Sequence, residues 1–406
     1  MRIAIISLNY YPEDTAIGLY STQMAEFLVQ NGWDVTVITG FPYYPEWKIP
    51  ETYKIEKKYL EEQIQGVRVL RFKQFVPSNP TFFKRIIHIL DFTSGSLSNL
   101  KKVNKTEIVL SIIPFTSSAW LGKKLTKRLH AKHWIHIQDF EFDAAFQSGL
   151  ASKSGLRAFL PKILFNLESS LLKSANIAST ISETMMDKLK EKTNTKTFLF
   201  PNWIDPDSID PGKAMTHPYL KAKSFKILYS GNIGFKQDWI FFQKVVGHFE
   251  KQSNIEFIVV GDGAKRTLIE NLARKFNNIN YYQNVPYNQL NDLLCSANLH
   301  VFFQNEDVIN AVMPSKILGM LASGKPSIVT GNMNSEVAKI IREANAGNFY
   351  DSADFEGVVE GITFYKNQFN FLDKNNPTAR NYMIKKYAKN NILSSFLKEL
   401  NVLAHG

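Results

Sequence analysis

Three strand ends in the second half of the chain are followed by residues suited to hold phosphate. Directly after the apolar run FKILYS comes Gly231-Asn232-Ile233-Gly234-Phe235-Lys236, where two glycines permit close backbone approach and Lys236 supplies a cation. Loops of this build cradle a pyrophosphate. The passage is not a Walker A loop, because no GK[ST] follows, and it is not GxGxxG. After IEFIVV, the stretch from Gly261 through Asp262 and Gly263 again exposes backbone at a strand end, with Asp262 placed as a turn residue or helix cap and Arg266 within reach of an anion. After NLHVFF and its loop, Pro314, Ser315 and Lys316 open a helix. Its N-terminal N–H groups and dipole favour an anion by about 0.3–1 kcal/mol, to which Ser315 adds a hydroxyl and Lys316 a charge. Each feature alone also reads as a tight turn or an ordinary cap. Three of them at strand ends of one domain point to a bound diphosphate.

The first half offers less. NYYPEDTAIG leads through Gly18 into a helix, a small-residue approach suited to the same diphosphate. The strand KHWIHI runs into Gln138-Asp139-Phe140-Glu141, and strand alternation puts His136 and Gln138 on one face with Asp139 at the rim. Asp139 is the better candidate to handle a substrate hydroxyl proton and His136 the second, against readings as a cap or ion-pair residue and as a core histidine. Two DxD-like spacings, Asp205-Pro206-Asp207 and Glu141-Phe142-Asp143, read as structural, and the first sits in a proline-rich connection. With no HExxH and a single cysteine, Cys295, no metal site and no cofactor are expected.

Positioning these residues requires strands that alternate with helices. RIAIISL, WDVTVIT, VRVLRF, EIVLSII, KHWIHI and NIASTI alternate with amphipathic stretches, as do FKILYS, IEFIVV, INYY, NLHVFF and KPSIVT. The fold class is α/β: two doubly wound parallel sheets facing across an interdomain cleft, with ligands beyond the strand carboxyl ends. The expected domains are 1–200, a hinge at 201–212 around FPNWIDPDSIDPG, 213–375, and a helix within 376–406 that crosses back to the first domain.

At 406 residues and 44% hydrophobic content, the chain can bury two sizeable cores. Its N-terminus starts a strand pattern and no apolar run reaches the roughly 18–20 residues of a membrane span, so a cytoplasmic protein is expected. The net charge of +11 is concentrated in residues 81–132, where ten Lys and Arg residues face only Asp91 and Glu107. There Phe82 and Phe83 mix with Lys84 and Arg85, and Lys101 and Lys102 follow. Such an amphipathic basic segment suits peripheral contact with the anionic inner face of a membrane, or else a core-facing helix with a solvated basic face. No nucleic-acid motif accompanies the charge.

NYYPEDTAIGLYSTQMAEFL, FPYYPEWKI, WIHIQDFEFDAAF, FPNWID, YSGNIGFKQ, VVGDG and MPSKILGMLASGKP together resemble glycosyltransferase family 4 of the GT-B fold over nearly the whole chain. The likeness is greatest to the fucosyltransferase type found in colanic acid and related bacterial polysaccharide synthesis. The resemblance implies Gly18 near the donor phosphates, Lys236 on the diphosphate, and the Pro314–Lys316 helix start beside the nucleotide. It also implies transfer of a hexosyl unit with retention, from GDP-fucose or a UDP-sugar to a lipid-linked oligosaccharide. Two departures stand out: Asn232 replaces a common arginine, and Ala311 and Gly319 replace two glutamates. Other readings of the same fold are a nucleotide-sugar epimerase, which needs no lipid acceptor, and a non-catalytic sugar- or membrane-binding subunit, favoured by those departures.

Overall fold

A computed structural model describes residues 1–54, 56–114, 116–143, 159–252, 254–306, 315–369 and 376–406. The chain forms two compact units, Met1–Pro201 with Leu393–Gly406, and Asn202–Ile392.

The first unit contains strands β1 (Arg2–Ile6), β2 (Asp34–Gly40), β3 (Tyr59–Ile64), β4 (Val67–Phe72), β5 (Ile108–Ile113), β6 (Lys132–Ile137), β7 (Ile177–Thr180) and β8 (Lys196–Leu199). Its helices are α1 (Ala16–Gln30), α2 (Phe82–Leu100), α3 (Thr116–Leu129), α4 (Phe159–Lys173) and α5 (Glu183–Lys192). The sheet order is β3-β4-β2-β1-β5-β6-β7-β8. Strands such as IVLSII are buried along their whole length, as expected for a parallel sheet covered on both faces. The exception is β3, which pairs antiparallel with β4 at the sheet edge, a strand the alternation pattern does not announce. Its sequence YLEEQI carries two glutamates, and Glu62 bonds the fully buried Arg71 of β4.

The second unit contains β9 (Phe225–Ser230), β10 (Ile255–Val260), β11 (Ile279–Tyr282), β12 (Leu299–Phe303), β13 (Ser327–Gly331) and β14 (Gly347–Asp351). Its helices are α6 (Trp239–His248), α7 (Arg266–Lys275), α8 (Leu290–Cys295), α9 (Ser315–Ala322), α10 (Glu336–Glu343), α11 (Phe355–Gln368) and α12 (Pro377–Tyr387), followed by α13 (Lys389–His405). All pairs in its sheet, β11-β10-β9-β12-β13-β14, are parallel. Helix starts are capped by side chains that accept the orphan N–H groups: Asp238 from Phe241, Ser335 from Ala338 and Asp354 from Gly357.

The helix expected within 376–406 is two helices. Ala388 between them is extended and pairs with Ile204: Ile204 N–H donates to the Tyr387 carbonyl at 2.8 Å, and Lys389 N–H to the Ile204 carbonyl at 2.8 Å. Lys389 also forms an ion pair with Asp205 at 2.7 Å. The proline-rich passage expected as a hinge is sewn to the α12–α13 break within the second unit. From Leu393 onward α13 belongs to the first unit, where Phe396 stacks on Phe200 at 4.4 Å and 9° and meets Trp134 at 5.0 Å.

Candidate functional site

Both sheets reverse their winding at one point: between β1 and β5 in the first, between β9 and β12 in the second. At such a point the loops leaving adjacent strands diverge, and open α/β sheets bind ligands there.

In the second unit three loops meet at that point. Gly231 N–H donates to the Val260 carbonyl at 2.8 Å, Ile233 N–H to the Asp262 carbonyl at 2.8 Å, and Lys265 N–H to the Ile233 carbonyl at 2.9 Å. The loops after β9 and β10 are therefore zipped backbone to backbone. This is the local reason for the glycines: a Cβ on Gly261 would strike the Gly231 carbonyl, and one on Gly263, at φ +152°, would strike Ile233 and Asn232. The sequence pattern assigns these glycines to ligand approach, whereas here they let two loops approach each other. The loop after β12 joins them, because Asn305 donates its backbone N–H to the Lys236 carbonyl at 3.1 Å and its side-chain amide to the Phe235 carbonyl at 2.7 Å.

Lys316, in the first turn of α9, reaches back over this platform. Its ammonium donates to the Tyr229 hydroxyl at 2.6 Å and the Asn232 carbonyl at 3.0 Å, and lies 4.6 Å from the Tyr229 ring centre and 5.3 Å from that of Phe302. Burial, with no carboxylate partner among the described residues, pushes its pKa down to about 7. Gly231, at φ +128°, leaves room for the Lys316 side chain, whose carbons a Cβ would press. Lys236 and Asn232 are exposed. Arg266 bonds Glu270 at 2.7 Å and lies 3.9 Å from Asp262, so its charge is already compensated. Ser315 begins α9, while Pro314 and Ala311 lie outside the described residues. Beside the platform, Asp238, Lys244, Asn305 and Ser352 line part of a cavity of about 650 Å³.

In the first unit Gly18 lies in the first turn of α1, where a Cβ would meet the side chain and carbonyl of Glu13. Glu13, which no sequence pattern marks, is buried and accepts the backbone N–H groups of Tyr43 and Tyr44 at 2.8 Å each and the Asn9 amide at 2.8 Å. One carboxylate thus clasps the loops after β1 and β2, and burial raises its pKa. Asp139 is half-buried in the loop after β6. Glu141 accepts the Thr116 N–H at 2.8 Å, tying that loop to the start of α3, and burial pushes its carboxyl up to about 7. Asp143 forms ion pairs with Lys188 at 2.6 Å and Lys192 at 3.0 Å, so this DxD-like spacing is occupied by structural partners.

His136 is corrected to a core histidine. It is 2% exposed, with Nδ1 on the Ser179 hydroxyl at 2.9 Å, Nε2 on the Gln138 amide at 2.9 Å, and a pKa pushed down to about 3 by burial. The basic segment also divides. Phe82 begins α2, and Phe83, Ile86, Ile87 and Leu90 are exposed beside the exposed Lys84 and Arg85. Lys101 and Lys102 follow the other end of the helix, about 27 Å away at 1.5 Å per residue. Lys102 is moreover half-buried and 3.6 Å from Glu61, so the six residues do not form one patch.

Solved structures share this architecture. A sucrose-phosphate synthase from Thermosynechococcus elongatus superposes with a TM-score of 0.74 at 14% identity, covering 99% of this chain and 98% of its own. HepE of Anabaena in complex with UDP gives 0.67 at 9% identity over 99% and 100%. The two doubly wound units define a GT-B fold. The family profile "Glycosyl transferases group 1" matches residues 216–386, the unit that carries the Lys316 platform. WcaI of Escherichia coli (strain K12), named for colanic acid biosynthesis glycosyl transfer, is 30% identical over 98% of this chain and 100% of its own length. The chain belongs to the group 1 glycosyl transferases and is a glycosyltransferase.

Proposed function

We propose that the enzyme moves a hexosyl unit from a nucleoside-diphosphate sugar, GDP-fucose or a UDP-sugar, to a lipid-linked oligosaccharide in bacterial surface polysaccharide synthesis. The observation that carries this reading is the platform at the β9–β12 switch point: three stitched loops, the exposed Lys236, and Lys316 held over them at the start of α9. A diphosphate placed there draws on two lysines and a helix N-terminus, which stabilise charge developing on the leaving group without a metal. The extent of the similarity to WcaI supports the polysaccharide assignment, and the UDP held by HepE supports a nucleotide-sugar donor.

Asp139 takes the acceptor proton, with Glu141 two residues on titrating near neutrality. His136 has no part in proton transfer, because it stays neutral and buried. Retention of configuration is proposed from the family, and NMR of the product anomer tests it. The exposed apolar and basic start of α2 rests peripherally on the anionic inner face of the membrane, where the lipid-linked acceptor resides.

The test is a binding panel of nucleoside diphosphates and their sugars on the purified protein, with Lys236→Ala and Lys316→Ala alongside. Each substitution is expected to weaken the preferred diphosphate by about 10–100-fold, the size of a charge-assisted hydrogen bond. Absence of binding to every diphosphate sinks the reading. A strict requirement for added divalent metal in turnover removes the metal-free part.

A further inference from the structure

Helices α2, α3 and α4 lie side by side on the first unit, with α3 packed against both neighbours. Their outer surface has an unusual division of residue types. Apolar side chains stand out at its two flanks: Ile86, Ile87 and Leu90 on α2, Ile163 and Leu167 on α4. Between them α3 contributes Lys123, Lys124, Lys127 and Arg128 and no acidic residue. Single exposed aliphatic side chains are ordinary on a solvated surface, but here five of them flank one basic helix.

Along the α3–α4 seam lies a cavity of about 480 Å³ lined by Lys123, Asn166, Ser169, Ser170, Lys173 and Ser174. Every lining residue is polar, and two are cations that carry no ion pair among the described residues. The one acid on α4, Glu168, is buried and committed to Lys192 at 2.5 Å. The Ser169 and Ser174 hydroxyls donate to the Lys192 and Leu171 carbonyls at 2.7 Å each. The two ammonium groups, the Asn166 amide and the Ser170 hydroxyl are then the donors that face the cavity, a set suited to phosphoryl oxygens. Lys123 is seven residues into α3 from Thr116, about 10 Å along the axis, so the seam is separate from the Glu141 contact at the strand ends.

We propose that the α3–α4 seam is a phosphoryl-headgroup site for an anionic membrane lipid, with Ile163 and Leu167 seated in the adjoining acyl boundary. The charge of the helix layer selects a bilayer over a protein partner, since an anionic lipid surface matches cations spread along a whole helix and accepts the aliphatic flanks as well. This deepens the peripheral-membrane reading, which invoked the start of α2 alone.

The test is co-sedimentation with vesicles of phosphatidylcholine, with or without phosphatidylglycerol, using wild type, Lys123→Gln/Lys173→Gln, and Ile86→Ser/Ile87→Ser/Leu90→Ser. Wild type is expected to bind the phosphatidylglycerol vesicles, and the lysine double variant to bind them about 30-fold less tightly, the loss of two surface cations. Its melting temperature and nucleotide affinity should be unchanged. If the lysine variant binds like wild type while the α2 variant does not, the seam assignment is overturned and the α2 reading stands. If wild type ignores phosphatidylglycerol vesicles, both fall. Titration with inorganic phosphate at fixed ionic strength separates the remaining source: phosphate binding lost in the lysine variant, with vesicle binding intact, makes this a soluble-phosphate site and overturns the lipid assignment. A lower melting temperature with unaltered vesicle binding makes Lys173 a helix-end residue only and overturns the lipid assignment as well.

Discussion

Lys316 illustrates what a single buried cation couples to. Its folded pKa near 7 lies well below the roughly 10.4 of an unfolded lysine, so between those values the unfolded chain binds more protons and stability rises with pH. An anion placed against the ammonium restores its charge, so at the proposed donor site binding above pH 7 is expected to draw in a proton. Affinity for the diphosphate is expected to fall with rising pH above about 7, by at most tenfold per unit, and to flatten in Lys316→Arg, whose charge does not titrate. Calorimetry in buffers of different ionisation enthalpy measures the proton directly, and zero uptake at pH 8 contradicts the coupling. Lys316 was legible in the sequence because a proline and a serine after an apolar run mark a helix start. Glu13 was not, because an acid beside Asp14 in a proline-containing loop looks solvated. The backbone N–H groups that hold it come from the distant Tyr43 and Tyr44.

Among the elements, most of the strands that show in the sequence are those buried on both faces. Runs such as RIAII and IVLSII leave no other placement. Two of the edges do not show: β3 reads YLEEQI, with adjacent glutamates, and β14 reads GNFYD, with half-buried positions and no apolar run, whereas the edge strand β11 is announced by INYY. The junction of β6, β5 and α3 can be tested through Glu141. Its folded pKa near 7 exceeds the unfolded value of about 4.3, so its contribution is fully present below the latter and is lost as pH rises through 7. Glu141→Gln mimics the neutral acid and keeps an acceptor for Thr116. The expected result at pH 8 is a gain of about 1–3 kcal/mol with a flatter stability profile between pH 5 and 8, read by urea denaturation. Destabilisation at pH 8 instead means that the start of α3 requires the negative charge.

At the scale of the whole molecule, two α/β units and the loops after β9, β10 and β12 follow from the alternation pattern, and a returning last helix is expected, whereas the core residues it meets are not. Nothing in the local sequence of α13 tells that Phe396 completes the core around Trp134 and Phe200. Phe396→Ala is expected to cost about 3–5 kcal/mol, as for other large buried aromatic truncations, and to unfold the first unit before the second in a urea titration. A loss under about 1 kcal/mol removes the helix from that core.

That return has a consequence for synthesis. Asn202–Ile392 is one continuous stretch, while its companion is written in two pieces separated by all of it. Synthesis runs through all of Asn202–Ile392 before it reaches Leu393–Gly406, so Trp134 and Phe200 are made long before their partner Phe396. The half that is translated first is the half completed last. A fragment ending at Pro201 should therefore recover its native core only when the α13 peptide is supplied separately.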